Sequence, residues 1–294
     1  MWLVNSFLGW RARRNTRSLT VGGRTRTYVV HTPPGLDPQK PAPVVLALHG
    51  ATMTGPLMAW FTKLNAKADE AGFIVVYPNG TGQRSSYFWN AGNCCGEAAR
   101  NNVDDVAFIR ALLDDLATAY RIDPKQVFAT GISNGAMMAY RLAALLSDRI
   151  AAIAPVAGTM ACGECHPTRP VPVLHIHGTE DEFVPFGGGK GPKSISGVPH
   201  RSVVDTITAW VRANGCREEP AAVEELPDSA GDRMKVTRTT YRGNAVDAEV
   251  ALITVGGGGH TWPGRPGSAA LGRSTRNVSA NDIIWEFFER HPME

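Results

Sequence analysis

The chain has 294 residues, 43% of them hydrophobic, which is enough to bury one large core, and an α/β sheet of this size commonly runs as a single domain. Thirty basic residues against 27 acidic ones leave a formal net charge of +3, so nothing in the overall electrostatics calls for nucleic acid or an anionic membrane as a partner. No apolar run approaches the ~20 residues needed to span a bilayer, and a soluble protein with no membrane partner is expected.

The one basic cluster, Arg11, Arg13, Arg14 and Arg17, reads as part of a solvated lead-in over residues 1–17, ahead of a single domain over 18–294. The opening MWLVNSFLGWRARR sets its arginines after the apolar stretch, the wrong order for a secretory signal. Short β-branched runs predict strands at 25–31, 43–48, 73–77, 126–130, 150–156, 171–176 and 249–255. Helical patterns at 56–71, 103–120, 135–147, 201–213 and 279–290 alternate with them. Strands apolar on both faces, alternating with helices, predict a mostly parallel sheet covered on each side: an α/β architecture in three layers.

In the helix over 103–120, Asp104 and Asp105 stand ahead of the stripe Val106, Ile109, Leu112, Leu113 and Leu116. The paired acids read as N-terminal caps and dipole partners, not as catalytic carboxylates. Residues 186–200, FGGGKGPKSISGVPH, predict a surface excursion, and their Gly-Gly-Gly-Lys lacks the spacing and the Ser/Thr of a phosphate-binding loop. A polar connection over 217–232 leads to a further possible strand at 234–241.

Strand 126–130 runs into Gly131-Ile132-Ser133-Asn134-Gly135, and a helix follows. Gly-x-Ser-x-Gly between strand and helix is a nucleophile elbow: the serine occupies a sharp, strained corner, and the glycines leave room for the crossing. A serine hydroxyl needs a base, and the base needs an orienting acid; in this arrangement the acid comes first along the chain and the histidine last. His260 follows the final strand on the loop Gly256-Gly257-Gly258-Gly259, free to reach the elbow, and is the expected general base. His175 and His177 alternate along a strand and its exit, where a structural role is the ordinary outcome. Strand 171–176 exits into Gly178-Thr179-Glu180-Asp181-Glu182, placing carboxylates at the carboxyl end of a strand; Asp181 is the expected acid. Backbone N–H groups serve as an oxyanion hole because they need little reorganisation. Asn134 follows the nucleophile, and the loop His49-Gly50-Ala51-Thr52 supplies the second donor, assigned to Ala51 with Thr52 as the alternative.

The segments LHGATMTG, VVYPNGTG, WNAGNCCG, VDDVAFIRALLDDL, ATGISNGAMMAYRLA, HIHGTEDEFVPF and GGGGHTWPG occur in this order. In this the chain resembles the polyhydroxybutyrate depolymerase and feruloyl esterase group of the α/β-hydrolases, over about residues 18 to 290. The resemblance implies Ser133, Asp181 and His260 as a triad, Ala51 and Asn134 as an oxyanion hole, and carboxylic ester hydrolysis without metal or organic cofactor. It implies a small ester or a polyester as substrate, with feruloyl-type aryl esters and polyhydroxyalkanoate-like chains foremost, and a secreted or periplasmic location. An acetyl-sugar esterase, a thioesterase, a peptidase or a non-catalytic binding module on the same scaffold are the alternatives.

Five cysteines are too few for a disulfide scaffold, yet the Cys94–Cys95 and Cys162–Cys165 pairs read as oxidised, with a bridge from one pair to the other pinning the loop beside the site. Many members of the resembled group carry cysteine where this chain has Ala51. They also pair the cysteine equivalent to Cys216 with one in a later strand, so Cys216 is expected to be unpaired here. Cys162-Gly163-Glu164-Cys165-His166 also matches the attachment pattern for c-type haem, but an α/β-hydrolase core offers no haem pocket. Thr52, Trp89, Phe183 and Trp262 lie in loops at the catalytic edge and are the expected substrate contacts, Trp262 first among them.

Overall fold

Ten strands join in one sheet in the computed structural model, which describes residues 16–83, 86–163, 166–243 and 248–294. In chain order the strands are β1 (Thr16–Val21), β2 (Arg24–His31), β3 (Ala42–Leu48), β4 (Ile74–Pro78), β7 (Ile122–Ile132), β8 (Ile153–Val156), β9 (Val173–Gly178), β10 (Ala222–Leu226), β11 (Val236–Arg242) and β12 (Glu249–Val255). A small hairpin, β5 (Thr81–Gln83) with β6 (Ser86–Phe88), stands apart. The helices are α1 (Gly55–Thr62), α2 (Leu64–Ala71), α3 (Gly96–Arg100), α4 (Asp105–Ala119), α5 (Asn134–Leu145), α6 (Val203–Ala213) and α7 (Ala280–Glu289).

The sheet order is β1-β2-β4-β3-β7-β8-β9-β12-β11-β10. From β4 to β12 neighbouring strands run parallel, and the pairs at both edges run antiparallel. The mostly parallel α/β sheet read from the sequence is present. Alternation along β3 shows why both faces must be covered. Val44, Leu46 and Leu48 pack with Phe108 and Leu112 of α4, Met138 and Leu142 of α5, and Trp210 of α6. Val45 and Ala47 face the other way, toward Met58 of α1, Ala68 of α2 and Phe288 of α7. A strand buried on both sides has no room for a polar residue on either face, hence its unbroken apolar run.

Local chemistry departs from the sequence reading in four places. The helix expected over 56–71 breaks at Lys63, whose φ of 57° ends α1 and starts α2. Asp104 caps α4 by accepting from Ala107 N at 2.8 Å, as expected, but Asp105 is buried and bonds Arg26 at 2.6 Å and Asn90 N at 2.7 Å. It ties β2 to α4 instead of meeting the helix dipole from solvent. β1 starts at Thr16, inside the stretch taken as lead-in, and residues 1–15 lie outside the described residues. β10 occupies part of the polar connection over 217–232; its AVEEL exposes most of its length at the sheet's edge, so no apolar pattern announces it.

Candidate active site

β7 ends at Ile132 and α5 starts at Asn134, so Ser133 alone makes the corner, with φ 57° and ψ −121°. A positive φ is rare outside glycine, and strain of about 1–3 kcal/mol persists only where the surroundings impose it. Here Ser133 N donates to Val156 O at 2.9 Å, and Ser133 O accepts from Met137 N at 3.0 Å. The flanking glycines make the crossing possible. A Cβ on Gly131 would stand 2.7 Å from Leu48 O, and one on Gly135 would collide with the carbonyl oxygens of Leu48 and His49.

Asp181 and His260, 79 positions apart, meet because the exits of β9 and β12 are stitched together. Thr179 N donates to Val255 O at 3.0 Å and Glu180 N to Gly258 O at 2.8 Å. His260 Nδ1 then lies 2.8 Å from Asp181 Oδ2, while Asp181 Oδ1 accepts from Phe183 N at 2.8 Å and Val184 N at 2.9 Å. Burial alone would push the Asp181 carboxyl up, but the charge of His260 and a hydrogen bond from His177 outweigh it and hold the group well below the usual carboxylate range. Behind the acid, His177 Nε2 lies 2.8 Å from Val184 O and 3.4 Å from Asp181 Oδ2. His175 Nε2 lies 3.0 Å from His177 Nδ1, and Tyr140 Oη 2.7 Å from His175 Nδ1. Burial, with His177 adjacent, pushes His175 well below the ordinary histidine value.

Ser133, His260, Ala51 and Asn134 line one cleft of about 330 Å3. Thr52 N is engaged, donating to Tyr87 O at 2.8 Å, while its neighbour Ala51 lines the cleft. Asn134 stands first in α5, where a backbone N–H has no partner within the helix. Its side chain clips onto Trp89, accepting from Trp89 N at 2.7 Å and donating to Trp89 O at 3.0 Å. Below Ala51, the buried His49 donates from Nδ1 to Gly50 O at 2.8 Å and accepts Gly80 N on Nε2 at 2.9 Å. Burial pushes His49 down to about 4, which keeps this ring neutral.

Thr52 and Phe183 line the cleft, and the Phe183 ring centre is 4.8 Å from that of His260. Trp89 and Trp262, expected as substrate contacts, do not line it: they are 0% and 1% exposed. Trp89 donates its indole N–H to His49 O at 3.0 Å, and Trp262 donates to Asn281 Oδ1 at 2.9 Å. Their apolar bodies fill core space while their single donors hold the His49–Thr52 loop and α7 in place. Residues the sequence reading missed complete the cleft: Met53, Phe61, Met137 and Leu271, with Ser194, Ile195, Ser196 and His200 of the 186–200 excursion. The excursion follows the acid directly in the chain, which was the available signal.

Of the bridges the sequence leaves open between the two cysteine pairs, none to Cys162 is formed. The sulfurs of Cys94 and Cys95 lie against each other and Cys162 is free, while Cys165 is outside the described residues. Cys95 faces the catalytic cleft, whereas Cys94 and Cys162 border a separate small hollow. Cys216 is a free thiol that donates to Ala248 O at 3.4 Å. Among the described residues, no group of three or more His, Cys, Asp or Glu side chains is placed to hold a metal ion, and no helix is long and apolar enough to cross a membrane.

Comparison with known proteins places these features in a family. Residues 26–186 match the family described as Esterase PHB depolymerase, a span that includes Ser133 and Asp181 and stops short of His260. A putative esterase, NocK, of Nocardia uniformis subsp. tsuyamanensis is 36% identical over 94% of this chain and 83% of its own length. Feruloyl esterase B of Piromyces equi is 31% identical over 80% of this chain, which spans 42% of that larger protein. Among solved structures, acetyl xylan esterase from Aspergillus awamori superposes with a TM-score of 0.64 at 18% identity, over 94% of this chain and 99% of that one, a likeness of fold. The family match takes in more than half of the chain, which therefore belongs to the PHB depolymerase esterase family and is a carboxylic ester hydrolase built on the α/β-hydrolase fold.

Proposed function

We propose that Ser133, Asp181 and His260 form the catalytic triad of a serine esterase acting on feruloyl-type aryl esters or on polyester chains. The observation that carries the reading is the strained Ser133 corner opening into the same cleft as His260, whose Nδ1 is 2.8 Å from the buried Asp181 carboxylate. With Nδ1 of His260 committed to Asp181, Nε2 is the nitrogen left to take the Ser133 proton. The Ser133 oxygen attacks the ester carbonyl, and the N–H groups of Ala51 and Asn134 receive the negative charge that develops on its oxygen. The imidazolium returns the proton to the departing alcohol, leaving an acyl-enzyme. Water, deprotonated by His260, releases the acid and restores Ser133.

Apolar lining by Met53, Phe61, Met137, Phe183 and Leu271 supports an aryl or aliphatic acyl group, and the cleft volume suits a single such group. The relatives' names support the aryl choice: one is a feruloyl esterase. Export is proposed on the likeness to feruloyl esterases, with the close spacing of Cys94 and Cys95 along the chain as support. Titration with an organophosphonate, followed by rates on p-nitrophenyl esters of increasing length, methyl ferulate, a hydroxybutyrate oligomer and an aryl polyester film, tests the proposal. Stoichiometric labelling lost in Ser133→Ala and turnover of ferulate or polymer are expected; turnover of short p-nitrophenyl esters alone would remove the substrate assignment.

A further inference from the structure

We propose that His177 is a positioning residue for ester hydrolysis: its Nε2–H, bonded to Val184 O and standing 3.4 Å behind Asp181 Oδ2, holds the acid turn in place, and the buried chain from Tyr140 through His175 sets the tautomer that allows it. This rests on reading Asp181 as the triad acid. A carbonyl oxygen only accepts, so the 2.8 Å contact to Val184 O puts a proton on His177 Nε2. In the neutral ring Nδ1 then accepts, and the group 3.0 Å from it is His175 Nε2, which must donate. His175 Nδ1 is thereby left to accept the Tyr140 hydroxyl at 2.7 Å. Every bond in the chain runs one way. Reversing it would require His177 to donate from both ring nitrogens.

Packing leaves the rings no freedom to swap roles. His175 and His177 stack at 5.2 Å with planes 13° apart, and Phe186 meets His177 edge-on at 6.0 Å. Val184 is tied twice: its N–H donates to Asp181 Oδ1 at 2.9 Å, and its carbonyl accepts from His177. The turn over 181–184 is therefore pinned at Val184, inward by its N–H on Asp181 Oδ1 and from behind by His177 on its carbonyl. His260 holds Asp181 Oδ2 from the cleft side at 2.8 Å, and His177 approaches the same oxygen from behind at 3.4 Å. His177 does not line the cleft, so its influence reaches substrate only through Asp181. The titratable groups around the acid are His260 on the loop after β12, His177 and His175 on β9, Tyr140 on α5, and His200 on the excursion.

The test compares His177→Leu, which removes the donor, with His177→Gln, whose amide nitrogen reaches the Nε2 position. Rates on a p-nitrophenyl ester are taken per phosphonate-titrated site, so unfolded protein does not count. For His177→Leu we expect kcat to fall about 10-fold or more, as for loss of a hydrogen bond to a charged group, with KM within about 2-fold. The acid limb of kcat/KM should move to higher pH, because a carboxylate with one donor fewer lets the Asp181–His260 pair hold its proton more tightly. His177→Gln should recover most of the loss. A purely structural role would lower the number of titrated sites and leave kcat and the limb per site unchanged, and that result for His177→Leu overturns the proposal. If the leucine variant gives no folded protein, His177→Asn, whose amide stops at the Nδ1 position, is read by the same criteria. A wild-type protein with no ester turnover above Ser133→Ala would instead sink the triad reading.

Discussion

The two walls of the cleft are built on opposite principles. On the acid wall, residues 178–184 are stitched to the His260 loop, the Asp181 side chain is buried, and both of its oxygens are engaged. On the adjoining wall, tied to the acid turn where Lys193 N donates to Glu182 O, Ser194, Ser196 and His200 bond one another at 2.9–3.1 Å on a half-buried loop, and Ile195 beside them is 60% exposed. The first wall fixes the Asp181–His260 contact, and in the proposed triad a small displacement there is costly. The second can change residues without disturbing the sheet, as loops carrying specificity commonly do.

The largest effects should come from breaking the rigid wall. Ser133→Ala is expected to lower kcat by about 10^4- to 10^6-fold, and Asp181→Asn by about 10^4-fold. Circular dichroism and thermal melting should report folded protein for both. An Asp181→Asn enzyme keeping a tenth of wild-type kcat would show that the wall holds nothing catalytic. Ser133→Gly, which relieves the positive φ, should raise stability by about 1 kcal/mol in urea titration while abolishing activity.

Next in size is the junction behind that wall. A Cβ at Gly178 would strike the Gly258 carbonyl, so Gly178→Ala should cost about 3 kcal/mol or more and lower activity by separating Asp181 from His260. Urea titration with phosphonate counting of intact sites separates the two effects.

The floor of the cleft should show itself in acid. His49 takes up its proton near pH 4 in the folded chain and near 6.5 when unfolded, so between these values the unfolded state binds more protons and stability falls as pH falls. The loss from this ring is at most of order 3 kcal/mol and is complete below about pH 4. Melting curves from pH 7 to 4 should show it, with a shallower decline in His49→Gln. At still lower pH the loss continues at Glu249. Burial alone would raise this carboxyl, but His291, Arg290 and Arg242 outweigh it and hold it at about 2. Its contribution is present above the unfolded carboxylate range and disappears as pH falls through about 2.

The smallest effects belong to the loop wall. Ile195→Ala and His200→Ala should shift the ratio of kcat/KM between long and short acyl esters by up to about 10-fold, as for one or two apolar or polar contacts. Their melting temperatures should stay near wild type. A collapse in stability at either position would erase the contrast between the walls.

Much of this was legible along the chain, for identifiable reasons. The unbroken apolar runs of β3, β4, β7 and β12 could only be strands buried on both faces, and Gly-Ile-Ser-Asn-Gly between β7 and α5 requires the corner that Ser133 makes. Asp181 and His260 were readable because each directly follows a strand end. The tryptophans misled because sequence shows that a ring lies near the edge, not which way it turns. Trp89 and Trp262 turn inward, each spending its one donor on a backbone or amide oxygen. Asp105 misled likewise: position in a first turn suggests a helix cap, and only its partner Arg26, 79 residues earlier, shows a buried ion pair.

Local pattern by itself determined the strand and helix alternation and the strained corner at Ser133, because each depends on residues within a few positions of one another. Tertiary structure alone decided that Thr52 N is spent on Tyr87 O, that the 186–200 excursion walls the cleft, and that His175 and His177 of β9 meet at 3.0 Å behind Asp181. Those facts depend on which atoms compete for the same donor or acceptor across the fold, and that competition exists only once the chain has closed on itself.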